Sequence, residues 1–163
     1  MKTILLMRHA KSSWKEIGKT DKERQLNSRG VADAPRMGKR LKRKGYVLDK
    51  MISSTATRAM MTAKSVAEAM HFEGEIHKED RLYLADIDEY MNVLTSLDES
   101  VKDVMILSHN PGTEWMIEYL SGRTFTIATA AYVRLGFEGK WAKLGEKSCK
   151  VLDYDFPKSE LSR

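Results

Sequence analysis

Cysteine, proline and long apolar runs are all scarce in this chain, and each scarcity removes a class of answer. The 163 residues contain one cysteine and three prolines. The lone Cys149 can close no internal disulfide and lacks the second Cys that zinc spacing requires, which fits a reducing compartment. No apolar run approaches the roughly 18–20 residues of a membrane helix. The N-terminal stretch Ile4–Met7 is too short for a signal-peptide core and stops at Arg8. A cytoplasmic protein without a membrane partner is expected. No internal repeat, low-complexity tract or Pro/Gly/Ser-rich linker occurs, so residues 1–163 read as a single domain. Catalytic signatures are missing too: there is no HExxH, no Gly-rich loop ending in Lys-Ser/Thr and no G-x-S-x-G elbow. The two histidines singled out below have no obvious acidic third ligand, so neither a metal nor a cofactor is expected.

A hydrophobic share of 42% with 31% charged residues is that of a soluble globular chain. The net charge is +5, and much of the excess sits in Arg36, Lys39, Arg40, Lys42, Arg43 and Lys44. The plain reading of this run is a solvated helix face; the functional reading is a docking surface for an acidic partner protein. Neither an aromatic-rich strand nor zinc spacing accompanies the charge, so no nucleic-acid partner is expected.

Strand-like runs alternate with helical patterns, the mark of an α/β domain with a largely parallel sheet. Thr3–Met7 is a continuous apolar run of the kind buried on both faces. Lys50–Ser53, Asp103–Leu107, AAYVRLGF and KVLDYDF are further strand candidates, the last two joined around Gly139 and Gly145. A helix from Thr57 carries Ala59, Ala63, Val66, Ala67 and Met70 on one face, with Ser54 or Thr55 as its expected cap. Asp86 with Glu89 makes a capping box for a helix whose stripe includes Ile87, Tyr90, Met91, Leu94 and Leu97. NPGTEWMIEYLSG reads as a helix capped by Asn110 and stopped at Gly122. A further helical region spans Ser28–Lys44, where Pro35 predicts a kink or a late start.

In open α/β sheets the ligand crevice lies beyond the carboxyl ends of the strands. Three of these strands end in groups suited to an anion. The first ends in Arg8-His9, the second runs into SSTATRA with Arg58 in a first helical turn, and the third ends in Ser108-His109-Asn110. Two helix N-termini would face the same crevice and favour a phosphate-like ligand. His71 and His77, in polar surroundings without evident partners, read as surface residues. Two histidines and two arginines at equivalent places, with no metal motif, suggest phosphoryl transfer through a histidine nucleophile.

MRHAKSSW, SSTATRA and SHNPG together resemble the three motifs of the histidine phosphatase superfamily, the phosphoglycerate mutase-like fold. The short length, the RHA form of the first motif and TDKERQLNSRG resemble its phosphohistidine phosphatase, SixA-type branch. The resemblance covers residues 1–136. It implies a three-layer α/β/α sandwich, His9 as nucleophile, Arg8 and Arg58 as phosphate clamps and His109 as a second histidine. A protonated His109 would add a third cationic donor. Ser12, Asp21, Arg24 and Asn110 are candidates for the substrate-binding rim; for Asp21 and Arg24 a loop ion pair is the alternative.

Two positions depart from the family pattern. Lys15 stands where larger members often carry Asn, and Arg81-Leu82-Tyr83-Leu84 stands where many place R-L-x-E, the acid that protonates the leaving oxygen. Glu79, Asp80 and Asp86 are the carboxylates that could substitute. The implied substrate is phosphohistidine in a protein, with inorganic phosphate as product. A small phosphate ester is the alternative, and a non-catalytic anion-binding module a further one. A monomer is expected.

Overall fold

The computed structural model describes residues 1–15 and 17–160. Its strands are β1 (Lys2–Arg8), β2 (Lys50–Ser53), β3 (Ile76–Lys78), β4 (Asp103–Ser108), β5 (Tyr132–Phe137) and β6 (Cys149–Asp155). They form one sheet in the order β3-β2-β4-β1-β5-β6. The first four strands are mutually parallel, while β5 and β6 are antiparallel to their neighbours. Helices α1 (Ser28–Arg43) and α2 (Thr57–Met70) build the core on one face, and α3 (Ile87–Thr95) and α4 (Gly112–Ser121) the core on the other. The three-layer sandwich is the expected one.

β1 shows why the apolar run is continuous. Alternate residues of a strand point to opposite faces. Ile4 and Leu6 enter the core of α3 and α4, whereas Leu5 and Met7 enter that of α1 and α2. All four are at most 2% exposed, so a polar residue at any of them would lie unsolvated. Among the described residues no helix is long and apolar enough to cross a membrane.

The elements differ from the sequence reading in several places, each for a local reason. β3 was not expected, because its three residues Ile-His-Lys form an edge strand with no apolar pattern. His77 lies on this edge, exposed. α1 does not start late at Pro35; it is capped by the Asn27 side chain, which accepts from Gly30 N–H (2.9 Å), and runs through Pro35 to Arg43. Proline costs a helix interior about 3 kcal/mol. The packing of α1 on α2 outweighs it: Ala34, Met37 and Leu41 are buried. A Cβ on Gly38 would fall 2.7 Å from that of Ala69, so the two helices touch closely there.

Neither Ser54 nor Thr55 caps α2. Its cap position is Ala56, and Ser54 Oγ instead accepts from Ala56 N–H (3.2 Å). Asn110 does not cap α4 either; that position is Pro111, preceded by a cis peptide bond. Asp86 and Glu89 do form the expected capping box on α3. His71 is not without a partner: it ends α2 in a left-handed conformation (φ 58°), and Lys42 Nζ lies 2.6 Å from its Nδ1.

The basic run is not one solvated face, contrary to its plain reading in the sequence. Arg40 is buried, and its guanidinium donates to the carbonyls of Phe156 (2.6 Å) and Pro157 (2.5 Å) and pairs with Asp155 (3.4 Å). Lys44 donates to Asp153 and Asp155, both at 2.9 Å, and to Tyr132 Oη at 2.7 Å. Two of the six cations therefore hold α1 to β6 and the segment after it. Lys39, by contrast, is exposed.

Removing one member of a buried ion pair leaves its partner uncompensated. Arg40→Ala should lower unfolding stability by about 3 kcal/mol, and Lys39→Ala should change it by no more than about 0.5 kcal/mol. Denaturant titration of both variants checks the contrast; equal small losses would return Arg40 to the solvated face.

Candidate active site

β2, β4 and β1 are adjacent in the sheet, so the segments leaving their carboxyl ends lie side by side. Arg8 is the last residue of β1 and pairs opposite Ser108 of β4. His9 N–H donates to the Ser108 carbonyl (3.1 Å), and the rings of His9 and His109 stand with centroids 5.1 Å apart. On the far side of β4, Ser54 N–H donates to the Leu107 carbonyl (2.9 Å), and Ser54 Oγ lies 2.7 Å from His109 Nε2. Arg58, in the first turn of α2, is buried. The fold thus gathers Arg8, His9, Arg58 and His109 in one place.

Each imidazole is held by one nitrogen and presents the other. A carbonyl can only accept, so His9 Nδ1–H donates to the Ala10 carbonyl (2.7 Å). The lone pair of a neutral His9 is therefore on Nε2. In His109, Ser54 occupies Nε2, and Nδ1 is buried without a partner. Burial pushes the pKa of His9 down to about 4, aided by Arg58, Arg8 and Arg24 against the Ala10 hydrogen bond. Burial also brings His109 down to about 3, aided by His9, Arg58 and Arg24 and opposed by Asp21. Both rings are neutral at pH 7 in the ligand-free protein. The protonated His109 expected from the motif thus requires a bound anion to restore its proton.

The arginines are fixed from behind. Arg8 Nη1 and Asn110 Nδ2 both donate to the Ile127 carbonyl, at 3.0 and 2.8 Å, and Ile127 N–H donates to Glu114 (2.7 Å). Arg58 gives both Nη groups to Asp21, one to its backbone oxygen (2.6 Å) and one to Oδ2 (3.1 Å). The same carboxylate accepts from Tyr83 Oη (2.6 Å) and Arg24 Nε (3.1 Å), and Arg24 Nη1 donates to Ser12 Oγ (2.6 Å). Asp21, Arg24 and Ser12 are thus one chain behind Arg58, combining the loop ion pair with a place at the rim. Buried polar atoms without partners remain here: Arg8 Nε, Arg58 Nε, His109 Nδ1 and Asn110 Oδ1. Buried polar groups are normally hydrogen-bonded, so the donors among these are open to a further partner. The two guanidinium nitrogens, with His109 Nδ1 once it carries a proton, suit an oxyanion.

Several supports escaped the sequence reading. Thr62, one turn after Arg58, accepts from Ala10 N–H (3.0 Å) and donates to the Arg58 carbonyl (2.8 Å), tying the His9 loop to α2. Tyr90 Oη donates to Ser108 Oγ (2.6 Å), which lies 3.1 Å from Thr113 Oγ1. Gly112 lets α4 approach: a Cβ there would meet the Ala85 carbonyl at 2.8 Å and Tyr90 Oη at 2.9 Å. Tyr83 stands edge-on to His109, centroids 5.6 Å apart. Tyr83 had a signal, since it lies in the departure from R-L-x-E; Thr62 and Tyr90 had none beyond helical spacing.

The carboxylates proposed as acids are engaged elsewhere. Glu79 pairs with Arg81 (3.0 Å), Asp80 accepts from Thr55 (2.5 Å) and Lys22 (3.1 Å), and Asp86 caps α3. These bonds hold Glu79 and Asp80 below the usual carboxylate range. Tyr83 and the two arginines bring Asp21 down to about 2 despite an opposing desolvation. Among the described residues no cluster of three or more His, Cys, Asp or Glu is arranged to hold a metal ion.

The sequence profile described as histidine phosphatase superfamily (branch 1) matches residues 4–99. Among solved structures, the protein histidine phosphatase SixA complexed with tungstate superimposes with a TM-score of 0.84, at 19% identity over 95% of this chain and 97% of that one. A protein assigned as phosphohistidine phosphatase SixA from Agrobacterium tumefaciens superimposes with a TM-score of 0.83, at 26% identity over 96% and 98%. An uncharacterized Mycobacterium leprae protein is 27% identical over 165 residues, spanning 93% of this chain and 100% of its own length. A 2,3-bisphosphoglycerate-dependent phosphoglycerate mutase of Parabacteroides distasonis is 42% identical over 74 residues, 43% of this chain and 29% of the mutase.

Both depressed histidines make acid sensitivity a property of the site. Unfolded, each titrates near 6.5; folded, His9 titrates at about 4 and His109 at about 3. Between those values the unfolded chain binds more protons, so stability present above pH 6.5 is lost as the pH falls toward 3. His9→Asn and His109→Asn should each flatten the acid limb of a Tm-against-pH curve. Slopes unchanged in both variants would place the proton uptake elsewhere.

Proposed function

The chain belongs to the histidine phosphatase superfamily (branch 1), which gives it phosphatase chemistry, and we propose that its substrate is phosphohistidine in proteins. The reading assigns the nucleophile to His9 Nε2, free and neutral because Nδ1–H is committed to Ala10. Nε2 attacks phosphorus in line as the bond to the leaving group breaks, and water then cleaves the phosphoenzyme to release phosphate. Arg8 and Arg58 donate to the equatorial oxygens, where charge must be held in the transition state. The anion raises the proton affinity of His109, which then donates through Nδ1.

The state of the rim carboxylates carries the choice of substrate. Glu79, Asp80 and Asp21 are ionised and hydrogen-bonded, Asp86 serves as a helix cap, and Tyr83 commits its only proton to Asp21. An alkoxide leaving group needs a proton in the transition state, which this set is poorly placed to give. An imidazole leaves neutral once its own nitrogen is protonated, and free imidazole titrates near pH 6.5. The architecture shared with the two SixA structures supports the same substrate class.

His9→Ala should lose turnover by at least about 10³-fold. Brief exposure to labelled substrate should mark the wild type alone, with an acid-labile, base-stable label. In kcat/KM the expected order is phosphohistidine, then p-nitrophenyl phosphate, then phosphoserine, unaffected by chelators and inhibited by vanadate. A fastest phosphoserine or sugar phosphate would move the protein to the small-ester reading, and a wild type that takes no label would make it an anion-binding module.

A further inference from the structure

Among the exposed large apolar side chains, Trp14, Ile17 and Leu84 lie on segments leaving the carboxyl ends of the parallel strands, which also carry candidate active-site residues. Trp14 follows His9 by five residues, and Leu84 is next to Tyr83. One chain of contacts joins the two: Trp14 stacks on Arg24, Arg24 donates to Asp21, and Asp21 accepts from Tyr83.

Two of them are held exposed at a cost. Trp14 is 76% exposed, yet it is stacked on the guanidinium of Arg24, 3.5 Å from its ring centroid. Arg24 is itself buried and pinned by Ser12 and Asp21. One face of the indole is thus fixed to the active-site chain and the rest presented to solvent. Leu84 is 68% exposed and has a φ of 54°, the left-handed region that a leucine rarely adopts. An exposed leucine in a strained backbone gains nothing from burial in the free protein. Strain of this kind clusters at functional sites, and pre-organised aromatic groups are typical anchors of protein interfaces.

We propose that Trp14, Ile17 and Leu84 form a docking rim for a phosphorylated protein whose reactive side chain rises from an apolar surface with acidic neighbours. Charge complementarity favours that partner: Lys11 and Lys15, both exposed, flank Trp14. A small, polar phosphate ester would leave this apolar rim unused. The inference rests on the phosphatase reading of the site and deepens it, since it assigns the substrate's recognition to residues outside the chemistry.

The test compares wild type, Trp14→Ser and Leu84→Gly on three substrates: an acidic protein phosphorylated on histidine, one phosphorylated on serine, and p-nitrophenyl phosphate. Each variant should raise KM for the phosphoprotein that the wild type turns over faster by at least tenfold. Its kcat/KM for p-nitrophenyl phosphate should stay within twofold, and Leu84→Gly should not lower Tm, because glycine accepts the left-handed conformation. A preference for the phosphoserine protein would refute the proposed substrate while leaving the docking rim standing. The rim is overturned by equal losses on protein and aryl ester, by no change on the protein, or by a wild type that turns over neither phosphoprotein. Loss in the variants of binding to anionic phospholipid vesicles, with phosphoprotein KM unchanged, would overturn it in favour of a membrane-facing surface.

Discussion

Parallel pairing of β1 with β4, with Arg8 opposite Ser108, determines where the two imidazoles stand. Strands in a sheet lie about 4.8 Å apart, and the ring centroids of His9 and His109 are separated by 5.1 Å. The spacing of the histidine pair is thus close to the spacing of the sheet itself. A register slip of one residue would turn His9 to the opposite face and place apolar Met7 on the wrong core. The burial of alternate β1 residues in two separate cores protects the register, so the hydrophobic effect fixes a distance between two polar groups far more rigidly than a loop could.

Desolvation is the second shaping force, and it acts against charge on both rings. It leaves His9 neutral at physiological pH with a defined tautomer, the state an attacking nitrogen requires. The same burial would be destabilising for Arg8 and Arg58 were each not given fixed acceptors, the Ile127 carbonyl for one and Asp21 for the other. Side-chain bonds from Thr62, Ser54 and Tyr90 stitch the strand-end segments to their neighbours, so the cations and rings belong to one hydrogen-bonded framework.

The layers, the central strands and the four strand-end residues were legible in the sequence because periodicity and strand-end polarity are local signals. Capping was legible where a capping box was complete, as at Asp86, and misleading at Asn110, whose carboxamide was drawn away to the Ile127 carbonyl by a segment seventeen residues distant. The basic run failed for the same reason. No local pattern distinguishes Arg40, which is buried against Asp155 and the following carbonyls, from exposed Lys39 beside it. Asp21 looked like a rim residue or a loop ion pair; its grip on both Nη groups of Arg58 depends on a long-range contact that spacing cannot reveal.

That grip bears on how the cycle would close. Arg58 keeps both Nη groups on Asp21 and leaves Nε buried without a protein partner. The guanidinium is therefore partly neutralised within the fold, and without an anion it is not a bare buried charge. Asp21 is thus a standing counter-ion, and under the phosphatase reading it would weaken the hold on a spent anion and shorten its dwell time in the site.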